Sequence, residues 1–332
     1  VTTICVVGLG AVGARAARQL AESGGVESLV VVDSKTERAA AVASSIGDAA
    51  SAVNWIGDGP PPAGVDAVAC AVPAGLELPF VRSAMNAGIP IATSVDDHEA
   101  IRDLLALRPA TTKSWTALVG CGLSPGLSDL LARHAGAALD AVDEVHVARV
   151  GVAGPSCQSV VKRALRDRSL EWRGGRWHDE DRRAGHELVW FPDPIGAREC
   201  ERVAGGIWCL AEGFPDASRI SVRLADPDAG ARFRFSRRQD DASWGATRVE
   251  VWGRQGSRRS SIVYGVVERT AIAAGTTLAV STLALVGLVP DLPPVNVRGV
   301  HGLAASVEPV PMLAELARRG VKAAIFEGVG ER

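Results

Sequence analysis

The segment Gly8-Leu9-Gly10-Ala11-Val12-Gly13 spaces its glycines as G-x-G-x-x-G, directly after the apolar run from Thr3 to Val7 and at the start of an alanine-rich stretch. Each glycine has a separate use. Gly8 allows a tight turn, Gly10 lets a pyrophosphate approach the backbone, and Gly13 lets the following helix pack closely on the strand. The amides that open such a helix face the phosphates, where the macrodipole favours negative charge. Asp33 closes the next apolar run about 20 residues further on, the spacing at which a carboxylate accepts hydrogen bonds from a ribose 2′-hydroxyl. It would repel a 2′-phosphate, which favours NAD, while Lys35 and Arg38 beside it keep NADP open. The candidate coenzyme contacts are therefore Gly8, Leu9, Gly10, Ala11, Val12, Gly13, Asp33, Ser34, Lys35 and Arg38. Ala71, Val72, Pro73 and Ser94 join them from the ends of later strands.

A ligand of an open α/β sheet lies outside the carboxyl ends of the strands, so the stretches around Ala71–Gly75, Thr93–His98 and Gly120–Gly126 should border the reacting atoms. Hydride transfer asks little of the protein beyond positioning, a proton source and charge complementarity. Asp96, Asp97 and His98 are candidates for the proton relay or for anchoring a substrate amine, and a helix N-cap is the alternative for either aspartate. In "GCGLSPG", Ser124 reads as an N-cap and Pro125 as the first residue of a helix, so Gly122, Ser124, Pro125 and Gly126 would frame a carboxylate or amide. Cys121 in the same stretch is a catalytic thiol, part of that frame, or a packing residue. No histidine can be tied to it in sequence, and a thiol nucleophile needs such a base or a lowered pKa. His134 would sit roughly 15 Å along its helix from Ser124, too far for catalysis. Arg149 and Arg198 are candidate carboxylate clamps, because a guanidinium forks onto a carboxylate.

The elements that must position these residues alternate at first. Strand-like "TICVVG", "SLVVVD", "VDAVACAVP", "IPIATSVDD" and "WTALVGCG" are separated by helical segments, including "AVGARAARQLAES", "KTERAAAVASSIG" and "LPFVRSAMNAG". That order predicts a doubly wound parallel sheet covered on both faces. From Ser124 the texture changes: "VDEVHVARVGV", "RISVRLAD", "ARFRFS", "TRVEVWGR" and "RSSIVYGVVE" tend to alternate apolar and polar residues, as in a sheet with one solvated face. The expected architecture is an α/β chain: a Rossmann-type domain at 1–123, an inserted α+β substrate domain on a mostly antiparallel sheet at 124–269, and a return onto the first domain at 270–332.

The chain has 332 residues and a formal net charge of −2, so no global field recruits nucleic acid or an anionic membrane surface. Its six cysteines show neither C-x-x-C nor zinc spacing, which suits reduced thiols, a cytoplasmic setting and no metal. Ala271–Val289 carries no charge over 19 residues. Its small and hydroxylated residues favour a buried helix over a membrane span.

The motifs "GLGAVG", "VGCGLSPGLSDLLA" and "IFEG", with "GVAGPSC" and "WFPDPIG", resemble the saccharopine dehydrogenase-like family over most of the chain. The resemblance implies an NAD(P)-dependent oxidoreductase that transfers hydride to or from a small amino-acid-derived imine or related C=N, C=O or C=C substrate. A homodimer joined through the inserted domain is the expected assembly. Two other readings stay open: a thiol-dependent semialdehyde dehydrogenase using Cys121, and a non-catalytic dinucleotide-binding sensor or scaffold.

Overall fold

The computed structural model describes residues 2–107, 115–181, 185–227 and 244–326. The expected strand "ARFRFS" and the last two residues of "IFEG" lie outside them. The first part of the chain runs β1 (Thr2–Val7), α1 (Ala11–Ala21), β2 (Val26–Val32), α2 (Thr36–Ile46), β3 (Ala50–Ala52), β4 (Ala67–Cys70), α3 (Glu77–Ala87), β5 (Ile91–Thr93), α4 (His98–Leu105), β6 (Thr116–Val119) and α5 (Leu127–Ala137). Then follow β7 (Ala141–Val150), α6 (Pro155–Ala164), β8 (Ser169–Arg173), β9 (Arg176–Glu180), β10 (Glu187–Trp190), β11 (Ala197–Val203), α7 (Ile207–Gly213), β12 (Arg219–Ala225), β13 (Trp244–Gln255) and β14 (Arg258–Arg269). The chain closes with α8 (Thr270–Leu285), β15 (Gly299–Gly302), α9 (Leu303–Ser306), α10 (Pro309–Arg318) and β16 (Ala324–Phe326).

The first sheet is ordered β15-β6-β5-β4-β1-β2-β3, and every pair in it is parallel. Its inner strands are runs of buried Val, Ala, Ile and Cys, because helices cover both faces and leave no solvated side to alternate against. Chain order reverses between β1 and β4. In a doubly wound sheet that reversal leaves a crevice at the strand ends, since the following connections diverge to opposite faces.

The second sheet is mixed, ordered β10-β11-β12-β7-β13-β14-β16, with β8 added beside β12 and β9 beside β8. At its centre β7 and β12 run parallel. Their outer neighbours pair antiparallel. After Arg269 the chain serves both sheets: β15 extends the first and β16 pairs with β14 of the second.

Helix α8 occupies most of the uncharged run and is buried at nearly every residue, packed against α1, β4 and β5. Two of its hydroxyls are satisfied within the helix: Thr277 donates to the Ala273 carbonyl at 2.9 Å and Thr282 to that of Leu278 at 2.8 Å. Gly275 is required where α8 meets α1, since a Cβ there would stand 2.8 Å from the Val12 carbonyl oxygen. No helix among the described residues is long and apolar enough to cross a membrane.

Two local expectations change. The strand expected through Asp97 stops at Thr93, and Asp97 instead caps α4, accepting from the Ala100 amide at 3.0 Å. Ser124 does not cap α5, which begins only at Leu127 with Gly126 as its N-cap. The loop before it folds back on itself: the Gly122 amide donates to the Pro125 carbonyl at 3.0 Å, and Leu127 donates to the Gly122 carbonyl at 2.9 Å. A side chain at Gly126, whose φ is 123°, would meet the Gly122 oxygen at 2.3 Å.

Candidate active site

A cleft of about 790 Å³ opens at the crevice between β1 and β4 and runs under the loop that follows β7. One end is the glycine turn. The Gly8 amide donates to the Val32 carbonyl at 2.8 Å, and Gly8 takes a φ of 82°. An added Cβ there would collide with the Ala71 carbonyl at 2.6 Å, and one on Gly13 would lie 1.7 Å from the Gly8 oxygen. Gly10 differs. Among the described residues nothing but its own chain neighbours lies within 4 Å of a Cβ built on it. The missing side chain leaves open space in the cleft wall, as close approach of a pyrophosphate requires.

Asp33 is fixed from three sides. Its Oδ2 accepts from the Leu9 amide at 2.8 Å, its Oδ1 from the Lys35 amide at 2.8 Å, and Arg38 pairs with it at 3.3 Å. The carboxylate thereby ties the glycine turn to the end of β2. Trp55, Ile56, Leu76, Pro79 and Phe80 supply an apolar wall at this end, with Trp55 edge-on to Phe80 at 5.1 Å.

The other end of the cleft carries ionisable side chains from both sheets. Asp96, between β5 and α4, meets Arg149 of β7, with Nη1 3.4 Å from Oδ2. Arg149 is nearly buried, and Asp96 is its one hydrogen-bond partner among the described residues. Burial raises the Asp96 pKa, and Arg149 opposes the shift. Glu77, the first residue of α3, is buried with its Oε2 accepting from the Gly75 amide at 2.7 Å, while Oε1 has no partner among the described residues. Burial pushes its carboxyl up to about 7, helped by the charges of Asp96 and Asp97. From the second sheet's side, Ala153, Gly154, Pro155, Ser156 and Cys157 complete the lining. Gly154 sits against Ala11, to which a Cβ would come within 3.4 Å.

The structure brings Gly8, Leu9, Gly10, Ala11, Val12, Asp33, Ser34, Arg38, Ala71, Val72, Pro73, Ser94, Asp96, Gly122, Ser124, Pro125 and Arg149 to this one cleft. Seven expected residues are not in its lining. Gly13 packs beneath the turn, and Lys35 contributes its amide to Asp33 while its residue lies exposed before α2. Asp97 caps α4 and pairs with Arg163, and His98 is the first residue of that helix. Gly126 is consumed by the turn before α5. Arg198 is exposed on β11 and donates to the adjacent Ala197 carbonyl at 2.8 Å. Cys121 is fully buried in the core, and burial pushes its thiol up to about 12, the reverse of what a nucleophile needs. His134 bonds Tyr264 at 2.7 Å, away from the cleft.

Sequence reasoning missed Glu77, Cys157 and Thr270, all of which line the cleft. Cys157 had a signal, since it ends the "GVAGPSC" motif. Glu77 and Thr270 had none, because their spacing from the other site residues follows no pattern.

No protein-family model matches the chain, and no curated protein matches it in sequence. Solved structures do match. Saccharopine dehydrogenase (L-Glu forming) from Saccharomyces cerevisiae superposes with a TM-score of 0.67 at 14% identity, covering 98% of this chain and 100% of the other. The chain has the saccharopine dehydrogenase fold. DAP dehydrogenase of C. glutamicum, solved in complex with DAP, gives 0.53 at 13% identity, covering 96% of this chain and 99% of that one. An engineered D-amino acid dehydrogenase gives 0.51 at 12% identity, covering 97% and 100%.

Proposed function

We propose that the protein is an NAD(P)-dependent oxidoreductase acting on a small amino-acid-derived substrate, with a C=N bond reduced or its amine counterpart oxidised. The observation that carries this reading is the continuity of one cleft from the open cradle at Gly10 to the Asp96 and Arg149 pair. The cradle fits a dinucleotide: Gly10, Ala11 and Val12 would hold the pyrophosphate, Asp33 and Arg38 the adenosine ribose, and Trp55, Pro79 and Phe80 the apolar faces nearby. When bound, the nicotinamide supplies or accepts the hydride.

The chain's own residues then have separable tasks. Among the described residues Arg149 bonds only Asp96, through Nη1, and its other N–H groups suit a substrate carboxylate. Asp96 can anchor an amine when ionised or carry a proton at its carboxyl oxygen when neutral, and its raised pKa brings these states closer in free energy. The Gly122–Pro125 loop and the residues after β7 limit access by water. The names of the structural neighbours, which concern saccharopine, DAP and D-amino acids, support an amino-acid-related substrate.

The test is a titration with NADH and NADPH, read by energy transfer from tryptophan to the reduced nicotinamide, with Trp55 in the cleft wall as donor. Saturable binding is expected, tighter for NADH because Asp33 repels a 2′-phosphate. Absence of binding of either coenzyme to the folded protein would overturn the reading. Binding followed by no turnover over a panel of amine and keto-acid pairs would favour a sensor instead.

A further inference from the structure

Asp96 is held at one oxygen by two side chains that belong to the second sheet and the helix after its first strand. Arg149 Nη1 lies 3.4 Å from Oδ2, and the Cys157 thiol donates to the same atom, with Sγ at 3.7 Å. Among the described residues no hydrogen bond reaches Oδ1, and the Asp96 side chain keeps one-fifth of its exposure. All three residues line the cleft. Five of the six cysteines are buried, and Cys157 alone is a partly exposed residue.

We propose that Cys157 is a positioning residue of this site, whose thiol, together with Arg149, anchors Asp96 Oδ2 and turns Oδ1 toward the substrate. The assignment rests on the reading of the cleft given above. An S–H group is a donor that an ionised carboxylate accepts, whereas a thiolate beside that carboxylate is repelled. Burial and the Asp96 charge push the thiol up to about 12, and Arg149 opposes them. Thiol and carboxyl are therefore coupled, and the coupling is reciprocal: whatever removes the Asp96 charge must release the thiol proton more readily. The other charged groups near Asp96 are Asp97, which is neutralised by Arg163 of α6, and Glu77 of α3.

Reciprocity allows a test that needs no substrate. The full-length native protein is treated with iodoacetamide between pH 7 and pH 10, and alkylation at each cysteine is followed by peptide mass spectrometry. Cys157 is expected to react first. Asp96→Asn should accelerate it about tenfold for each pH unit by which the thiol titration moves down, and Arg149→Met should slow it. Asp97→Asn, which removes a neighbouring charge without touching the thiol, should leave the rate within about twofold. Thermal melts establish that each variant is folded. An unchanged rate in folded Asp96→Asn, or alkylation of Cys121 ahead of Cys157, would overturn the assignment. Saturating NADH separates the two readings. If Asp96 dependence persists but NADH gives no protection, the thiol and carboxyl pair stands and the coenzyme reading fails; protection without Asp96 dependence overturns the pair alone.

Discussion

Gly10 and Gly13 belong to one motif yet should fail in different ways. A side chain at Gly10 meets open space, so Gly10→Val should melt within a few degrees of the parent while losing NADH binding at least about 100-fold. At Gly13 the same change drives a Cβ into the Gly8 carbonyl, so Gly13→Val should destabilise the protein by about 3 kcal/mol or more. Paired melting and binding curves separate the outcomes. Glu77 makes a prediction about pH. Its carboxyl is raised from 4.5 to about 7 by burial, so the folded state holds the proton more tightly than the unfolded chain. Its contribution is complete below pH 4.5 and is lost as pH rises through about 7. Glu77→Gln should remove that loss and be more stable than the parent by ~1–3 kcal/mol at pH 8, with no such gain at pH 4. Urea unfolding of both proteins at the two pH values measures it.

At the scale of elements, the residues that look chemical in sequence are often those that end a helix. Asp97 is such a case, since its carboxylate satisfies the Ala100 amide and pairs with Arg163 across to α6. Asp97→Ala should cost about 1–2 kcal/mol through the lost cap and pair, yet leave NADH affinity within about twofold. A matching loss of affinity would return Asp97 to the site. Helix starts also limited what could be read beforehand. Gly88 closes α3 in a left-handed conformation, which favours glycine and so marks a helix end in sequence. Serine followed by proline before α5 was misleading, since those residues sit in a loop whose geometry is decided by Gly122 and Gly126 on either side.

On the scale of the whole molecule, the cleft is assembled from both halves of the fold, with Asp33 and Asp96 following strands of the first sheet, Arg149 on β7 of the second and Cys157 on α6 after it. Coenzyme binding should therefore stabilise the chain as a unit: at 100 times its dissociation constant, NADH should add about 2.7 kcal/mol to unfolding. A calorimetric melt should show this rise, and Gly10→Val should not. The C-terminal segment takes part in the same unit. Arg319 donates to the Gln19 carbonyl and to Ser23 Oγ, each at 3.0 Å, tying the chain after α10 to the end of α1.

The glycine turn, the place of Asp33 at a strand end and the parallel run of the strands from β1 to β6 were legible in the sequence, because each depends on neighbours within one β-α-β unit, whereas β15 joins that sheet only by tertiary pairing with β6. Steric limits on a turn, the burial of an apolar run and the reach of a carboxylate from one strand end to the next act over short stretches of chain. The partnership of Asp96 with Arg149 and Cys157 spans 53 and 61 residues, and it arises only when β7 and α6 fold over the strand ends of the first sheet. Cys121 shows the converse. Its neighbours in sequence resemble a site, but tertiary packing encloses it, and desolvation removes the thiolate that chemistry would require.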